Sequence, residues 1–320
     1  MAADEYHRPT KVAVIGAGNV GATFAYTLLQ SGLASEIVLI DANHARAEGE
    51  AMDLNHAAPL ARPARVWAGD YPDITGAAVT VVTAGSAQRP GETRLDLTAR
   101  NVEIFKSIIP RVAEHNPKGI ILIATNPVDI LSYAAWKLSG LPKERVFGSG
   151  TVLDTARFRY LLSQYFKVDP RSVHAYIIGE HGDSEVPVWS LANIAGMRLP
   201  QYCAVNGLGC EDETLDMIFE QTRDAAYHII ERKGATYYGI ASGLTRICEA
   251  IIRDQGTVLS VSSYLNEEYY GISDVCLSLP TIVDLDGVER IIRLELNDKE
   301  IAALQNSAAI LKNIIAQLKL

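Results

Sequence analysis

Short runs of almost uninterrupted apolar residues punctuate the first half of the chain, at Val12–Ile15, Ile37–Ile40, Val79–Thr83 and Ile120–Ala124. Such runs predict parallel strands that are buried on both faces, because a half-exposed strand would alternate apolar and polar residues. Stretches with helical spacing lie between them, at Val20–Ser31, Ala45–Asn55 and Leu97–His115. This alternation predicts βαβ units and a doubly wound sheet. We expect a kink or break at Pro110, which falls inside the third helix.

The second half of the chain has a different pattern. Helices are predicted at Leu153–Phe166, Glu211–Lys233, Tyr237–Arg253 and Ala302–Leu318. Strand-like runs lie at Val258–Leu265, Val275–Asp284 and Val288–Leu296, with Asp286-Gly287 as a hairpin turn signal. The pattern predicts an α/β chain with a doubly wound domain over residues 1–149 and an α+β domain over residues 150–320.

Composition narrows the class of protein. The chain has 320 residues, of which 48% are hydrophobic, and a net charge of −9. That is the profile of a globular protein, and the charge argues against nucleic-acid binding, which needs a basic surface. Neither a signal peptide nor an apolar run long enough to cross a bilayer is apparent, so we expect a cytoplasmic protein without a membrane partner. The four cysteines lack metal-ligand spacing and are interpreted as unpaired thiols in a reducing compartment; they are Cys203, Cys210, Cys248 and Cys276.

A glycine-rich segment follows the first predicted strand at once and reads Gly-Ala-Gly-Asn-Val-Gly over residues 16–21. The spacing alone is weak, but a strand before it and a helix after it are the context of a dinucleotide site of the Rossmann type. Gly16 permits the tight turn, Gly18 lets the backbone approach a pyrophosphate, and Gly21 lets helix and strand pack closely. The helix N-terminus would face the diphosphate.

Asp41 ends the second predicted strand, 20 residues after Gly21. An acidic residue there can accept hydrogen bonds from the ribose hydroxyls, and Ala42 and Asn43 provide no arginine for a 2′-phosphate. This favours NAD over NADP. The alternative is that Asp41 only caps the next helix.

A candidate acid–base group is His181, which lies between glycines in Gly-Glu-His-Gly-Asp-Ser and is therefore expected on a loop. Asp154 and Arg157 open a predicted helix, and a spacing of three residues puts them on one face. A lone histidine is more often structural than catalytic, and the other two residues could form an ordinary intrahelical ion pair. Residues 85–94 follow a strand and carry Pro-Gly, which predicts either a loop that covers a ligand or a plain surface loop.

Taken together, four segments resemble the lactate/malate dehydrogenase family: the glycine-rich turn, Thr-Asn-Pro-Val-Asp at 125–129, Leu-Asp-Thr-Ala-Arg-Phe-Arg at 153–159, and the His181 segment. The resemblance covers nearly the whole chain and implies an NAD-dependent enzyme acting on a 2-hydroxy acid, with a tetramer as its assembly. Reducing a keto acid needs a hydride donor, a proton donor and a carboxylate clamp. In the family pattern His181 would supply the proton, Asp154 would hold the imidazole, and Arg157 would grip the substrate carboxylate.

The resemblance implies further site residues. Around the substrate they are Gln88, Arg94, Asn126 and Thr236, with Arg94 polarising the carbonyl. Around the cofactor they are Asn19, Val20, Arg46, Tyr71, Gly85, Asn101, Thr125, Asn126, Ser149 and Ile240, in addition to the glycines and Asp41. Arg159 and His174 match the positions that bind fructose 1,6-bisphosphate between subunits in regulated bacterial members, where the sugar bisphosphate favours the active tetramer. Alternatively, Arg159 pairs with a local carboxylate and His174 only belongs to a strand.

Gln88 bears on the choice of substrate. Malate dehydrogenases of the family have arginine at this loop position, whereas lactate dehydrogenases have glutamine, which suits a substrate with a methyl group and favours lactate/pyruvate. Arg89 leaves malate open if the loop is shifted by one residue. A protein that binds NAD as a redox sensor without catalysis would explain the glycines and Asp41 but would not need His181 or Arg157.

Overall fold

The computed structural model of the chain describes residues 10–86, 94–266 and 269–318. Its helices are α1 (Asn19–Ser31), α2 (His44–Ala57), α3 (Arg94–His115), α4 (Val128–Ser139), α5 (Val152–Phe166), α6 (Leu199–Asn206), α7 (Asp212–Lys233), α8 (Tyr238–Ile252) and α9 (Asp298–Ile315). Its strands are β1 (Lys11–Ile15), β2 (Glu36–Ile40), β3 (Arg65–Ala68), β4 (Val79–Val82), β5 (Ile120–Ile123), β6 (Val146–Gly148), β7 (Val173–His174), β8 (Ile177–Ile178), β9 (Val186–Pro187), β10 (Asn193–Ile194), β11 (Met197–Arg198), β12 (Thr257–Leu259), β13 (Ser262–Leu265), β14 (Val275–Ser278), β15 (Thr281–Asp284) and β16 (Gly287–Ile291).

An eight-stranded sheet in the order β14-β13-β6-β5-β4-β1-β2-β3 organises the molecule. The six strands from β6 to β3 are parallel, whereas β13 pairs antiparallel with both β6 and β14. The strand order reverses beside β1 and β4, and ligands bind at the carboxyl ends of strands next to such a switch point. The expected α/β fold with a doubly wound sheet is confirmed.

Alternate residues of each strand face opposite layers of the core, because side chains of a strand point alternately to its two faces. Val12 and Val14 of β1 pack with the layer that contains α1 and α8. Ala13 and Ile15 pack on the other side, with α3 and α4. Both faces of the sheet are covered, which is why its strands are continuous apolar runs.

Some elements differ from the sequence-based expectation. The strands β3 and β6 were not predicted, since Arg65–Ala68 and Val146–Gly148 are too short and too mixed to stand out. The runs expected as single strands at Val258–Leu265 and Val275–Asp284 each divide into two strands of different sheets. Pro280 lies at the second division, where its missing N–H interrupts a ladder. The hairpin at Asp286-Gly287 is confirmed by the antiparallel pairing of β15 with β16.

The prediction at Pro110 was a kink or a break. The helix α3 runs through this proline to His115, so there is no break, and the kink stays a prediction. No helix in the described ranges combines the length and apolar composition that crossing a membrane requires.

The expectation of four unpaired thiols is wrong for one pair, because Cys203 and Cys210 form a disulfide. The helix α6 ends at Gly207, whose positive φ of 64° turns the chain back and brings the two Cα atoms to 6.1 Å from each other. Cys248 and Cys276 are unpaired and buried, as expected.

Candidate active site

The turn between β1 and α1 depends on glycine at two positions. Gly16 has a φ of +105°, and a Cβ there would lie 2.6 Å from the Ala84 nitrogen. A Cβ at Gly21 would lie 1.9 Å from the Gly16 oxygen, so helix and strand could not pack as they do. No atom lies within 4 Å of the Cβ position of Gly18 in the described structure, which leaves room for a ligand to approach the backbone. The turn therefore fits the pyrophosphate of a dinucleotide.

Asp41 supports this turn. Its Oδ2 accepts a hydrogen bond from the Ala17 N–H at 2.7 Å, and its Oδ1 accepts one from the Asn43 N–H at 2.8 Å. The cap of α2 is Asn43, whose side chain accepts from the Arg46 N–H. Asp41 is half-buried beside the glycine turn. It is not the cap of the following helix, because Asn43 takes that position.

A second part of the predicted cofactor site lies where β4 and β5 end. The Thr125 hydroxyl donates to the Ala84 oxygen at 2.8 Å, and a Cβ at Gly85 would lie 2.3 Å from Thr125 Cγ2. The fully buried Asn101 accepts a hydrogen bond from the Ser86 N–H at 2.8 Å and donates one to the Asn126 oxygen at 2.9 Å. Asn101 therefore ties together the two chain segments that leave these strands.

His181, Asp154 and Arg157 form one connected group. Asp154 stands in the first turn of α5 and is almost fully buried. Its Oδ2 lies 2.5 Å from His181 Nδ1, and its Oδ1 accepts from Arg157 Nη1 at 2.8 Å. One carboxylate thus orients both a titratable ring and a guanidinium, which leaves Nε2 as the second ring nitrogen for proton exchange.

The charges in this group reinforce each other. Burial acts to lower the pKa of His181, but the negative charge of Asp154 and its hydrogen bond outweigh burial and raise the pKa from 6.5 to about 9. Burial acts to raise the pKa of Asp154, and the positive charges of His181 and Arg157 overcome it and hold that pKa below its ordinary value. The imidazolium and the carboxylate are therefore both charged at neutral pH.

Asp129, at the start of α4, anchors the His181 loop through a hydrogen bond. Its Oδ2 accepts from the His181 N–H at 2.8 Å, and its Oδ1 accepts from the Ser262 hydroxyl at 2.6 Å. Burial raises the pKa of Asp129 to about 6, although both hydrogen bonds act against the rise. The residue fixes the loop against the antiparallel strand β13 that extends the main sheet.

Asp154, Arg157 and His181 line a cavity of about 270 Å³. Of the predicted substrate residues, Asn126, Asp154, Arg157 and His181 contribute to its wall. Thr236 lies in the short connection between α7 and α8 and is not among the lining residues. Gln88 and Arg89 fall outside the described residues. Arg94 is the first residue of α3, and its side chain also falls outside the described part of the chain.

The remaining predicted cofactor residues are distributed along the carboxyl edge of the sheet and on the adjoining helices. Ser149 follows β6 and is buried, and Ile240 of α8 packs against the core layer that contains α1. Arg46 is on the surface of α2, with Nε 4.0 Å from Glu50. Tyr71 is buried, and the Arg111 guanidinium lies 3.7 Å from the centre of its ring.

Sequence reasoning gave no role to Asp129, which belongs to a motif it singled out, or to Glu185, which directly follows the His181 motif. Glu185 lies four residues after His181, lines the same cavity and is only 6% exposed. A carboxylate so near the candidate base was a signal. The sequence could not show that Glu185 is buried, because most glutamates are exposed.

Arg159 and His174 lie apart from this cavity. The Arg159 Nε donates to the Ala175 oxygen at 2.9 Å, and its guanidinium lies 5.1 Å from the centre of the Tyr176 ring. His174 is exposed on β7. Arg159 also lines a separate cavity of about 360 Å³ with Arg171 and Arg246.

Two family models match almost the entire chain. The lactate/malate dehydrogenase NAD binding domain matches residues 10–148, and the lactate/malate dehydrogenase alpha/beta C-terminal domain matches residues 151–319. The chain therefore belongs to the lactate/malate dehydrogenase family. This confirms the family expected from the motifs, the NAD-binding Rossmann domain, and the class of enzyme, an NAD-dependent dehydrogenase. The exact division of the chain at residues 149 and 150 stays a prediction.

Similar proteins agree with this placement. An L-lactate dehydrogenase from Acetivibrio thermocellus is 56% identical over 309 residues, which cover 96% of this chain and 97% of the relative. One from Priestia megaterium is 56% identical over 303 residues and 94% of both chains. The solved structure of a minor L-lactate dehydrogenase from Enterococcus mundtii has a TM-score of 0.94, with 44% identity over 98% of this chain and 99% of that one.

Proposed function

We propose that this protein is an NAD-dependent L-lactate dehydrogenase, which interconverts L-lactate and pyruvate. The observation that carries the proposal is the shared carboxylate of Asp154, which orients a proton donor and a carboxylate-binding guanidinium at the wall of one cavity. Reduction of a 2-keto acid needs both groups beside each other. The full-length relatives named above carry the same activity in their names.

The glycine turn and the helix N-terminus of α1 would hold the diphosphate of NAD, and Asp41 would accept from the ribose hydroxyls. The nicotinamide half of NAD would lie at the ends of β4 and β5, where it would be bordered by Gly85, Thr125 and Asn101. When bound, the reduced cofactor NADH would supply the hydride to pyruvate, and the oxidised cofactor NAD⁺ would accept it from lactate. All other steps belong to side chains of this chain.

His181 carries the proton. In pyruvate reduction the imidazolium donates the proton on Nε2 to the keto oxygen, and in lactate oxidation the neutral ring removes the hydroxyl proton. Asp154 stays ionised, holds Nδ1, and keeps the ring in the orientation and tautomer that this exchange needs. Because the pKa of His181 is raised to about 9, the proton-donating form is present below that pH and is lost as pH rises through it. Reduction is therefore favoured below about pH 9 and oxidation above it.

Arg157 binds the substrate carboxylate with two parallel hydrogen bonds, a geometry that a lysine cannot reproduce. Asn126 orients the carbonyl, and Arg94 polarises it from its place at the start of α3. Thr236 does not line the described cavity, and its contact with the substrate stays a prediction. Together these contacts hold the reacting carbon in one orientation, and this positioning lowers the barrier.

Gln88 favours lactate over malate as the substrate. Its uncharged amide suits the methyl group of lactate, whereas the second carboxylate of malate would have no charged partner there. Rates with NADH on pyruvate and on oxaloacetate test this choice. A preference for oxaloacetate would favour the malate alternative through Arg89. A failure to reduce either acid, with NADH still bound, would favour a sensor.

Regulation by fructose 1,6-bisphosphate and a tetrameric assembly also belong to the proposal. Arg159 and His174 would each bind phosphate across a subunit interface, so that the activator stabilises the assembled enzyme. This part is supported by the position of Arg159, which lines a cavity with two other arginines and contacts a backbone carbonyl through Nε rather than a carboxylate. The expected cytoplasmic location stays a prediction.

A further inference from the structure

Glu185 is a buried acid in the active-site wall that the mechanism above does not use. Its residue is only 6% exposed, and its Oε1 has no hydrogen-bond partner among the described residues. The Glu185 N–H donates to the Gly182 oxygen at 3.1 Å, which closes the turn of the His181 loop and places the side chain at the cavity. An ionised carboxylate without partners would be unfavourable in such a place.

Charged groups of three elements surround this side chain. Asp154 and Arg157 come from α5, Arg223 comes from α7, and His181 comes from the same loop. Arg223 is occupied by Asp224, whose Oδ1 lies 3.0 Å from its Nε. The other two cations that act on Glu185, Arg157 and His181, are those that would bind the substrate.

The other acids of the wall already have partners. Glu180 accepts from the Ser184 hydroxyl at 2.5 Å, and Asp183 accepts from the Tyr227 hydroxyl at 2.8 Å. Asp129, which contacts the His181 loop but does not line the cavity, accepts from the His181 N–H and from Ser262. Ionisation of Glu185 thus adds one unpartnered negative charge to the wall that Arg157 and His181 make attractive to an anion.

We propose that Glu185 is a positioning residue that limits substrate binding at alkaline pH. As an uncharged acid it leaves Arg157 to the substrate carboxylate and His181 to the keto oxygen, and as a carboxylate it competes with the substrate for both cations. The inference rests on the proposed function, because it takes Arg157 as the carboxylate clamp. Glu185 takes no part in the proton or hydride transfer of the proposed mechanism.

The electrostatics of the site agree with this geometry. Burial, followed by the negative charge of Asp154, raises the pKa of Glu185 to about 8, although the cations His181, Arg157 and Arg223 act against the rise. Glu185 is thus mainly uncharged at pH 7 and mainly ionised at pH 9. His181 loses its proton at about pH 9, so the two groups titrate in sequence as pH rises.

The test is binding of oxamate, a pyruvate analogue that cannot be reduced, to the enzyme saturated with NADH. The dissociation constant is measured from pH 6.5 to 9.5 for the parent, for Glu185→Gln, and for Glu213→Gln as an exposed control at the start of α7. At pH 7 the parent and Glu185→Gln should bind alike. At pH 9 the parent should bind about tenfold more weakly than Glu185→Gln, since that pH is about one unit above the pKa of Glu185. Glu213→Gln should follow the parent.

Proton uptake gives a second measurement. Calorimetry at pH 8 in buffers of different ionisation enthalpy should show uptake of about 0.6 proton per oxamate in the parent and about 0.1 in Glu185→Gln, because only His181 remains to be protonated. Glu185→Leu carries the same expectation if the glutamine variant does not fold.

A parallel pH dependence in parent and variant, or uniform weakening at every pH, would overturn the inference and leave Glu185 a purely structural residue. The proposed function fails in a different way. In that case the parent would neither bind oxamate at pH 7 in the presence of NADH nor reduce pyruvate.

Discussion

Replacing Asp154 by asparagine tests the electrostatic core of the mechanism, because the change removes one charge and almost no volume. The negative charge of Asp154 and its hydrogen bond are the main causes that raise the pKa of His181 from 6.5 to about 9. Burial remains in the variant and acts to lower the pKa, so we expect the pKa of His181 to fall to 6.5 or below. The difference of about 2.5 units corresponds to about 3 kcal/mol of stabilisation of the imidazolium.

The resulting loss of activity in Asp154→Asn depends on pH. At pH 7.5 His181 is about 97% protonated in the parent and about 10% or less in the variant, given pKa values of about 9 and 6.5. Protonation alone lowers kcat/KM for pyruvate about tenfold at that pH. The poorer positioning of the ring and of Arg157 brings the total to the order of 100-fold. At pH 5.5 the tenfold part vanishes, because the ring is protonated in both proteins.

The assay is NADH consumption at low pyruvate from pH 5.5 to 10. The parent profile should decline from about pH 8, where Glu185 ionises, and further near pH 9, where His181 loses its proton, whereas that of Asp154→Asn should decline from about pH 6.5. Asp53→Asn, an exposed change on α2, should stay within about twofold of the parent as the control. A ratio of parent to variant that stays constant over this pH range would refute the electrostatic role of Asp154, even if the activity is low.

Three further outcomes are expected. His181→Ala should lower turnover at least about 100-fold while NADH binding, followed by its fluorescence, is kept; turnover within a few-fold of the parent would show that another group moves the proton. Gln88→Arg should raise kcat/KM for oxaloacetate and lower it for pyruvate, since the added cation seeks a second carboxylate; an unchanged preference would point to Arg89 instead. Fructose 1,6-bisphosphate should lower the apparent KM for pyruvate, and Arg159→Gln/His174→Ala should abolish the effect; activation that survives in the double variant would contradict this site.

Local patterns were sufficient for much of the fold. The apolar runs of β1, β2, β4 and β5 stand out because both faces of a parallel sheet are buried, and that requirement acts on every residue of the strand. The glycine turn was equally predictable from the sequence, because Gly16 and Gly21 satisfy steric demands that no other residue meets. The family motifs then led to Asp154, Arg157 and His181 before any geometry was known.

Tertiary contacts decided the rest. The short strand β6 exists because β5 and β13 pair with it on either side, and the interruption near Pro280 separates strands that the apolar pattern joins. Cys210 meets Cys203 only after Gly207 reverses the chain. The sequence by itself determined the strands β1, β2, β4 and β5 and the nucleotide turn, since these depend on local spacing and residue type, and the family motifs singled out the candidate acid–base residues. Only the tertiary structure decided that one buried carboxylate serves both His181 and Arg157, and that Glu185 lies beside them, because burial and the field of neighbouring charges arise from residues far apart in the chain.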